Sequence, residues 1–303
     1  KELTLQGVVS GTSLLKVGDG TVVLTGNNTY TGTTQVVQGI LQGSSNTIRG
    51  NVAFDSSPLS KSLVFDQHSD GTFAGNIAGV GTTAGNGSVV KNGGGTLILT
   101  GTSNYTGGTT VNAGTLQGTT NSLQGNIVNN AAVIFDQSIT GIYAGNMTGT
   151  GTLTKNGTGK VTITGTSTIG GGTTINDGGF AVNGNLTSNV TLNGGILSGA
   201  GNINGDITQN GGEIAPGNSI GTITINGNYT VRHGILEFEI NSNGQNDKIN
   251  VVGAGHKATL QGGTIEVLAL AGTYRPNSTY TLISASGGVV GTFDRTTSNL
   301  AFL

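Results

Sequence analysis

Residues that could carry acid–base or nucleophilic chemistry are few in this chain. The three histidines are His68, His233 and His256, and none lies in the HExxH spacing that holds a catalytic zinc. No GDSG sequence marks a serine nucleophile, although a triad can also be assembled from residues distant in sequence. The sequence gives no positive support for a hydrolase, and we expect no catalytic residues.

Carboxylates could remove a proton from an acidic sugar, but only where several meet basic residues. Seven acids precede residue 200. Asp66 and Asp136 recur in the phrase FDQ, where an Asp that caps a turn is the usual arrangement. The stretch NGQNDKINVVG around Asp247 is superficially similar to a calcium loop, yet the GGxGxD repeat is missing. A charged turn is the alternative, and we expect no metal and no cofactor.

Basic residues become more frequent in the last hundred positions. They could form a basic face that attracts a sulfated glycan, but seven acids share the region, and scattered solvated charge is the alternative. The whole chain has 12 basic against 14 acidic residues, with no basic cluster, which argues against nucleic acid as a partner. The candidate basic face consists of Arg232, Lys248, Lys257, Arg275 and Arg295.

The composition indicates thin, repetitive β-structure. Glycine supplies 57 of 303 residues, and the hydrophobic share of 34% is low for a compact core. A net charge of −2 and three prolines are unlike a disordered chain. The absence of cysteine excludes disulfides and favours a secreted or surface protein. No apolar run approaches the ~20 residues of a membrane span, and the opening KELTLQG is no signal peptide, so we expect a mature segment without membrane insertion.

Three stretches of the chain align without a gap, beginning at Lys16, Lys91 and Lys155. Thr25 recurs as Thr100 and again as Thr164, and the spacing from Thr25 to Thr100 is longer than the spacing from Thr100 to Thr164. Within each unit, short segments alternate apolar and polar residues between Gly/Asn/Thr turns, which is typical of β-strands.

A sandwich or propeller would need more aromatic volume to fill a core ~10 Å thick. We therefore predict an all-β, right-handed parallel β-helix, in which each coil hydrogen-bonds to the coils above and below. Tyr30, Tyr105 and Tyr143 are expected to cover corners of this structure rather than bind a ligand.

The first unit is longer than the second because two turns carry extra residues, about five near SSPLSK and six near VGTTAGNG. Insertions at turns leave a stacked core undisturbed, and loops often carry recognition. We predict that residues 55–62 and 80–88 carry any recognition. The candidate residues are Asp55, Ser56, Pro58, Lys61, Thr82 and Asn86.

The pattern KNGGGTLILTGTSNYTGGTTVNAGTLQ, from Lys91 to Gln117, resembles the passenger-associated transport repeat of bacterial autotransporters, the type V secretion proteins. Residues 16–42 and 155–182 resemble further copies, although the third has IGGG in place of YTGG. The segment that begins GEIAPGNSIGTITINGNYT at Gly212 resembles the junction before the translocator, which forms an autochaperone-like cap in that family.

Apolar content and charge both rise after about residue 200, which agrees with a division of the chain near that residue. We predict a β-helix over residues 1–200, with units at about 16–90, 91–154 and 155–200, and a C-terminal β-helix cap over residues 201–303. The translocator barrel is expected to lie outside this segment.

The resemblance also implies a function at the bacterial surface or in the extracellular medium, after export through the periplasm and outer membrane. A non-enzymatic adhesin or virulence factor is favoured, with a host receptor, a matrix protein or a glycosaminoglycan as partner and self-association left open. The alternative is a released passenger that activates a host receptor. A β-helix hydrolase or polysaccharide lyase is less favoured.

Overall fold

The computed structural model describes residues 1–81 and 83–300. Within these residues the chain forms short strands joined by turns, and it contains no helix, hence none that could cross a membrane. The strands are β1 (Glu2–Leu5), β2 (Leu14–Lys16), β3 (Thr21–Leu24), β4 (Thr34–Val36), β5 (Gly39–Gly43), β6 (Val52–Phe54), β7 (Lys61–Asp66), β8 (Gly71–Phe73), β9 (Ile77–Gly79), β10 (Ser88–Asn92), β11 (Thr96–Leu99), β12 (Thr109–Val111), β13 (Thr115–Gly118), β14 (Ile127–Asn129), β15 (Ala132–Asp136), β16 (Gly141–Tyr143), β17 (Met147–Gly149), β18 (Thr152–Asn156), β19 (Lys160–Ile163), β20 (Thr166–Ile169), β21 (Thr173–Ile175), β22 (Gly179–Val182), β23 (Asn185–Thr187), β24 (Val190–Leu192), β25 (Ile196–Gly199), β26 (Asn202–Asn204), β27 (Ile207–Gln209), β28 (Glu213–Pro216), β29 (Thr222–Asn226), β30 (Tyr229–Val231), β31 (Ile235–Ile240), β32 (Lys248–Val252), β33 (Ala258–Leu260), β34 (Thr264–Ala269), β35 (Ile283–Ala285), β36 (Val289–Gly291) and β37 (Arg295–Ser298).

The chain divides into two compact units. The N-terminal unit comprises residues 1–137 and 144–152, and the C-terminal unit comprises residues 138–143 and the chain from Leu153 onward. The boundary predicted near residue 200 and the cap beyond it remain predictions, and residues 301–303 of that cap lie outside the described residues.

Each unit is a parallel β-solenoid with three sheets. In the N-terminal unit the sheets have the strand orders β1-β3-β5-β7-β10-β12-β14-β17, β2-β4-β6-β9 and β8-β11-β13-β15. In the C-terminal unit the orders are β20-β23-β26-β29-β32-β35, β18-β21-β24-β27-β30-β33-β36 and β16-β19-β22-β25-β28-β31-β34-β37. Neighbours in a sheet are parallel strands one coil apart, as in Leu97 opposite Leu116, so the predicted all-β parallel solenoid is confirmed.

Alternation of side chains creates a narrow apolar interior. In β11, Leu97 and Leu99 are buried while Thr96 and Ile98 remain partly exposed, as period-2 alternation requires. The aliphatic side chains stack along each unit, because parallel register places like residues above one another. In the C-terminal unit one such column contains Val161, Phe180, Leu197, Ile214 and Leu236, all buried.

The repeat lysines occupy buried positions at the end of a strand. Each Nζ donates to the carbonyls of the two following residues and to one carbonyl on the next coil, at N–O distances of 2.6–3.1 Å. Burial lowers the pKa of Lys16 and Lys91, although nearby Asp side chains oppose the shift. The acceptors are Val17, Gly18 and Gln38 for Lys16, Asn92, Gly93 and Ala113 for Lys91, and Asn156, Gly157 and Asp177 for Lys155.

Tyr30 and Tyr105 are buried in the segments between strands, as expected, whereas Tyr143 is buried at the end of strand β16. The Tyr105 hydroxyl lies 2.7 Å from the Thr109 hydroxyl and also accepts the backbone N–H of Gln124. In the third repeat Ile169 replaces the tyrosine, and the Thr173 hydroxyl instead lies 2.9 Å from the Ser188 hydroxyl. The lost phenol is therefore compensated locally, because a buried hydroxyl without a partner is costly.

Candidate functional site

The two inserted turns lie on adjacent coils of the N-terminal unit. Residues 55–60 join β6 to β7, and residues 80–87 join β9 to β10. Because β6 pairs with β9 and β7 pairs with β10, both turns connect the same two sheets one coil apart. Parallel stacking thus brings together two segments that are separated in sequence by the strands β7, β8 and β9.

Lys61 holds these two turns together. Its side chain is buried, and its Nζ donates to the carbonyls of Asp55 and Ser57, to the Ser57 hydroxyl, to the Asp55 carboxylate and to Oδ1 of Asn86 at 2.9 Å. The Asn86 amide donates in turn to the Ser57 carbonyl at 2.6 Å. One ammonium group therefore fixes both turns.

The charge of Lys61 is compensated within the same cluster. Burial opposes ionisation of Asp55, but hydrogen bonds from Lys61 and Ser57 outweigh burial and hold the pKa of Asp55 below its usual value. The ion pair is consequently maintained at neutral pH, and neither charge is left free for a ligand.

The candidate recognition residues differ in accessibility. Ser56, Pro58 and Asn86 are exposed and Asp55 is partly exposed, whereas Lys61 is buried and acts as a tether. Thr82 lies outside the described residues. Sequence reasoning assigned no exposed role to Leu59 and Val80, whose exposed fractions are 42% and 46%.

A shallow groove of about 290 Å³ lies on the outer face of β4, β6 and β9 and reaches the start of the second turn at Val80 and Gly81. In register across these strands lie Gln35, Ala53 and Ala78. No charged or aromatic side chain is among the residues that line it: Thr33, Gln35, Asn51, Val52, Ala53, Asn76, Ala78, Gly79, Val80 and Gly81.

Two asparagines supply the polar edge of this groove. Oδ1 of Asn51 accepts the backbone N–H of Asn76 at 2.9 Å, and Oδ1 of Asn76 accepts the backbone N–H of Thr102 at 2.8 Å. Among the described residues neither Nδ2 group has a protein acceptor, so both can donate to a ligand. No sequence signal marks this groove, because only coil stacking assembles it.

The candidate basic residues are distributed over different parts of the C-terminal unit. Lys248 begins β32 in one sheet, Arg295 begins β37 in another, and Arg232 and Lys257 flank the β30–β33 pair in the third. Arg275 lies in the turn between β34 and β35. Arg232 donates to Oδ1 of Asn210 at 3.0 Å. The structure thus does not gather the five residues on one sheet.

Among the residues considered for catalysis, His233 is exposed, and the two other histidines and the two FDQ aspartates have ordinary structural partners. Nε2 of His68 lies 3.2 Å from the Asp66 carboxylate, and Nδ1 of His256 lies 2.7 Å from the Val252 carbonyl. Asp66 and Asp136 accept the side-chain amides of Gln42 and Gln117 from the preceding coil. Within residues 1–81 and 83–300, no group of three or more His, Asp or Glu side chains could hold a metal ion.

Asp247 ties together two segments of the C-terminal unit. It is buried, and its carboxylate accepts the backbone N–H groups of Gly221 and Glu239, both at 2.7 Å. Burial raises the pKa of Asp247 to about 6, the two N–H donors oppose this shift, and the neighbouring Glu239 and Glu237 carboxylates add to it. Burial and neighbouring carboxylates likewise raise the pKa of Glu237 and Glu213.

This arrangement predicts a defined pH dependence of stability. The pKa of Asp247 is higher in the folded state than the usual 3.8, so the folded state binds the proton more tightly, and its stability relative to the unfolded chain falls as the pH rises from about 4 to 6. When the pH is lowered from 7 to 4.5, we expect the free energy of unfolding of wild type to rise by about 2 kcal/mol relative to that of Asp247→Asn. Urea unfolding at both pH values measures this difference.

The matched control is Asp177→Asn, since Asp177 is exposed in the same unit. Its pH profile should follow wild type. Parallel profiles for wild type and Asp247→Asn would show that the carboxylate does not titrate with a raised pKa.

The fold and this geometry define the class of the protein as a parallel β-solenoid with repeated coils. Its candidate binding surface consists of the two inserted turns and a groove without charged lining residues. The family model of the passenger-associated-transport-repeat matches residues 14–42, 89–117 and 153–182. Over 177 residues the chain is 38% identical to the adhesin BmaC autotransporter of Brucella suis biovar 1 (strain 1330), covering half of this chain and 5% of that relative.

These two matches support an autotransporter passenger domain that is exposed at the cell surface or secreted. The chain spans only about one twentieth of the curated relative it matches. The repeats first recognised from Lys16, Lys91 and Lys155 coincide with the three matched ranges.

Proposed function

We propose that this chain is a non-enzymatic adhesin segment that contacts host cells or extracellular matrix through the turns at residues 55–62 and 80–88. The observation that carries this proposal is the similarity to an autotransporter named as an adhesin. The inserted turns add support, because they are longer than the corresponding turns of the second repeat, and they expose Leu59, Val80 and a neutral groove.

Binding to cells tests this function. The purified chain, labelled with a fluorophore, is titrated onto mammalian epithelial cells and onto immobilised matrix proteins, and saturable binding is expected. A second chain lacks residues 55–59 and 80–85, which brings both turns to the length found in the second repeat. Its binding is expected to fall at least tenfold while its circular dichroism stays that of wild type.

The same preparation separates an adhesin from a released ligand. An adhesin blocks attachment of bacteria that carry the passenger, because the soluble chain occupies the same receptors. Receptor signalling by the soluble chain without such blocking would favour the ligand. Absence of saturable binding to every cell type and matrix protein would contradict the adhesin function.

A further inference from the structure

We infer that the two inserted turns and the adjoining groove form one binding surface for an uncharged, extended segment of a host protein, held in one arrangement by Lys61. This inference rests on the proposed adhesin function and specifies the chemistry of its partner. Hereafter the composite surface means residues 55–62, residues 80, 81 and 83–88, and the groove lined by Ala53, Ala78, Asn51 and Asn76.

The coupling of the turns depends on a residue that belongs to the first repeat. Aligning Phe65 with Phe135 places Ala131 at the position of Lys61. In the second repeat the corresponding turn is short, with β14 ending at Asn129 and β15 beginning at Ala132. The lysine thus accompanies the insertion, and its bonds to Asp55, Ser57 and Asn86 make the two turns a single unit.

The charge of the composite surface excludes an acidic partner. Residues 55–62 and 80–88 contain two charged side chains, Asp55 and Lys61. These two are paired with each other, and the groove has no charged lining residue. A sulfated glycan is attracted by unpaired cations, and this surface has no unpaired cation to bind one.

The exposed groups match a polypeptide. Leu59 and Val80 offer apolar contact, and Ala53 and Ala78 leave room for a chain to lie close to the sheet. The Nδ2 groups of Asn51 and Asn76 can donate to backbone carbonyls, as in recognition of extended peptides. No aromatic ring lines the groove for a sugar to stack on.

A single substitution in the groove tests the surface. Val80→Asp places a charge at its edge, and we expect binding to epithelial cells to fall at least tenfold because that carboxylate must be desolvated. The control is Val128→Asp, since Val128 is 42% exposed on β14 of the same unit, two strands from β10 and outside both turns and the groove lining. The control should bind as wild type does.

The nature of the partner is tested on the same cells. Trypsin treatment of the cells should abolish binding, whereas heparin lyase should leave it unchanged. Raising NaCl from 50 to 500 mM should change the apparent Kd less than twofold, because salt screens charged interactions and leaves apolar ones. Loss of binding after heparin lyase, or a steep salt dependence, would overturn the inference.

Coupling of the turns has its own readout. In Lys61→Met, amide hydrogen exchange should accelerate at least tenfold in both residues 55–60 and residues 83–87, and cell binding should fall at least fivefold. Protection of buried strand amides such as that of Val89 shows that the variant remains folded. Acceleration confined to residues 55–60 would contradict a shared tether.

Failure of the inference differs from failure of the adhesin function. If wild type shows no saturable binding, both are wrong. If wild type binds but Val80→Asp binds equally well, the composite surface is wrong and the adhesin function stands.

Discussion

Replacement of Phe180 by alanine is expected to lower the free energy of unfolding by about 3–5 kcal/mol. Phe180 is fully buried in β22, in register with Val161 on the preceding coil and Leu197 on the next. Alanine would leave a cavity between these two side chains, because the hydrogen bonds between parallel strands keep the coils at a constant spacing and prevent them from closing the space. Urea unfolding followed by circular dichroism measures the loss.

The position of the damage is also predicted. In a solenoid each coil contacts only its neighbours, so hydrogen exchange should accelerate first in β19, β22 and β25. The control is Ile196→Ala, since Ile196 is 40% exposed on the adjacent coil, and it should cost less than about 1 kcal/mol. Equal losses for both variants would argue against the stacked aliphatic interior as the source of stability.

Replacement of Lys155 by methionine is expected to cost about 2–4 kcal/mol. Methionine keeps the apolar stem but removes the ammonium that donates to the carbonyls of Asn156, Gly157 and Asp177, at 2.7, 2.6 and 3.1 Å. Hydrogen bonds from a charged donor contribute more than neutral ones, and acceptors left without a donor are destabilising.

The matched control for this variant is Lys257→Met, because Lys257 is exposed in the same unit and should change stability by no more than about 0.5 kcal/mol. Urea unfolding compares the two variants. If Lys155→Met were as stable as Lys257→Met, the repeat lysine would not stabilise the turn, and its recurrence at Lys16 and Lys91 would need another explanation.

The sequence was sufficient to predict the fold class because the decisive signals are local. Alternation of apolar and polar residues determines which side chains face inward, as in LEFEI, where Leu236, Phe238 and Ile240 are buried and Glu237 and Glu239 are partly exposed. The resemblance of the segment beginning at Lys91 to the transport repeat was equally local, and the family match confirms it.

The sequence could not show that the two inserted turns touch. Three strands separate them along the chain, and their contact follows from the pairing of β6 with β9. Lys61 was predicted to be a recognition residue, and the sequence did not show that its side chain is buried. The reason is that its bonds to Asp55 and Asn86 exist only when adjacent coils stack. The candidate basic residues were grouped by position along the chain, whereas the structure distributes them over three sheets and the turn between β34 and β35.

The repeats of this protein were determined by sequence alone, but the face of the solenoid that each copy occupies was decided by tertiary structure. In the N-terminal unit Thr21 of the first repeat lies in β3, and its counterpart Thr96 in the second repeat lies in β11 of a different sheet. Three coils along the first sheet lead from Thr21 through Ile40 and Ser62 to Ser88, which precedes Thr96 in the chain. The first repeat therefore spans three coils plus about one further strand and its turn, and for this reason the second repeat begins on a different sheet. Coil length depends on how tightly the backbone bends around its interior, which no single repeat encodes.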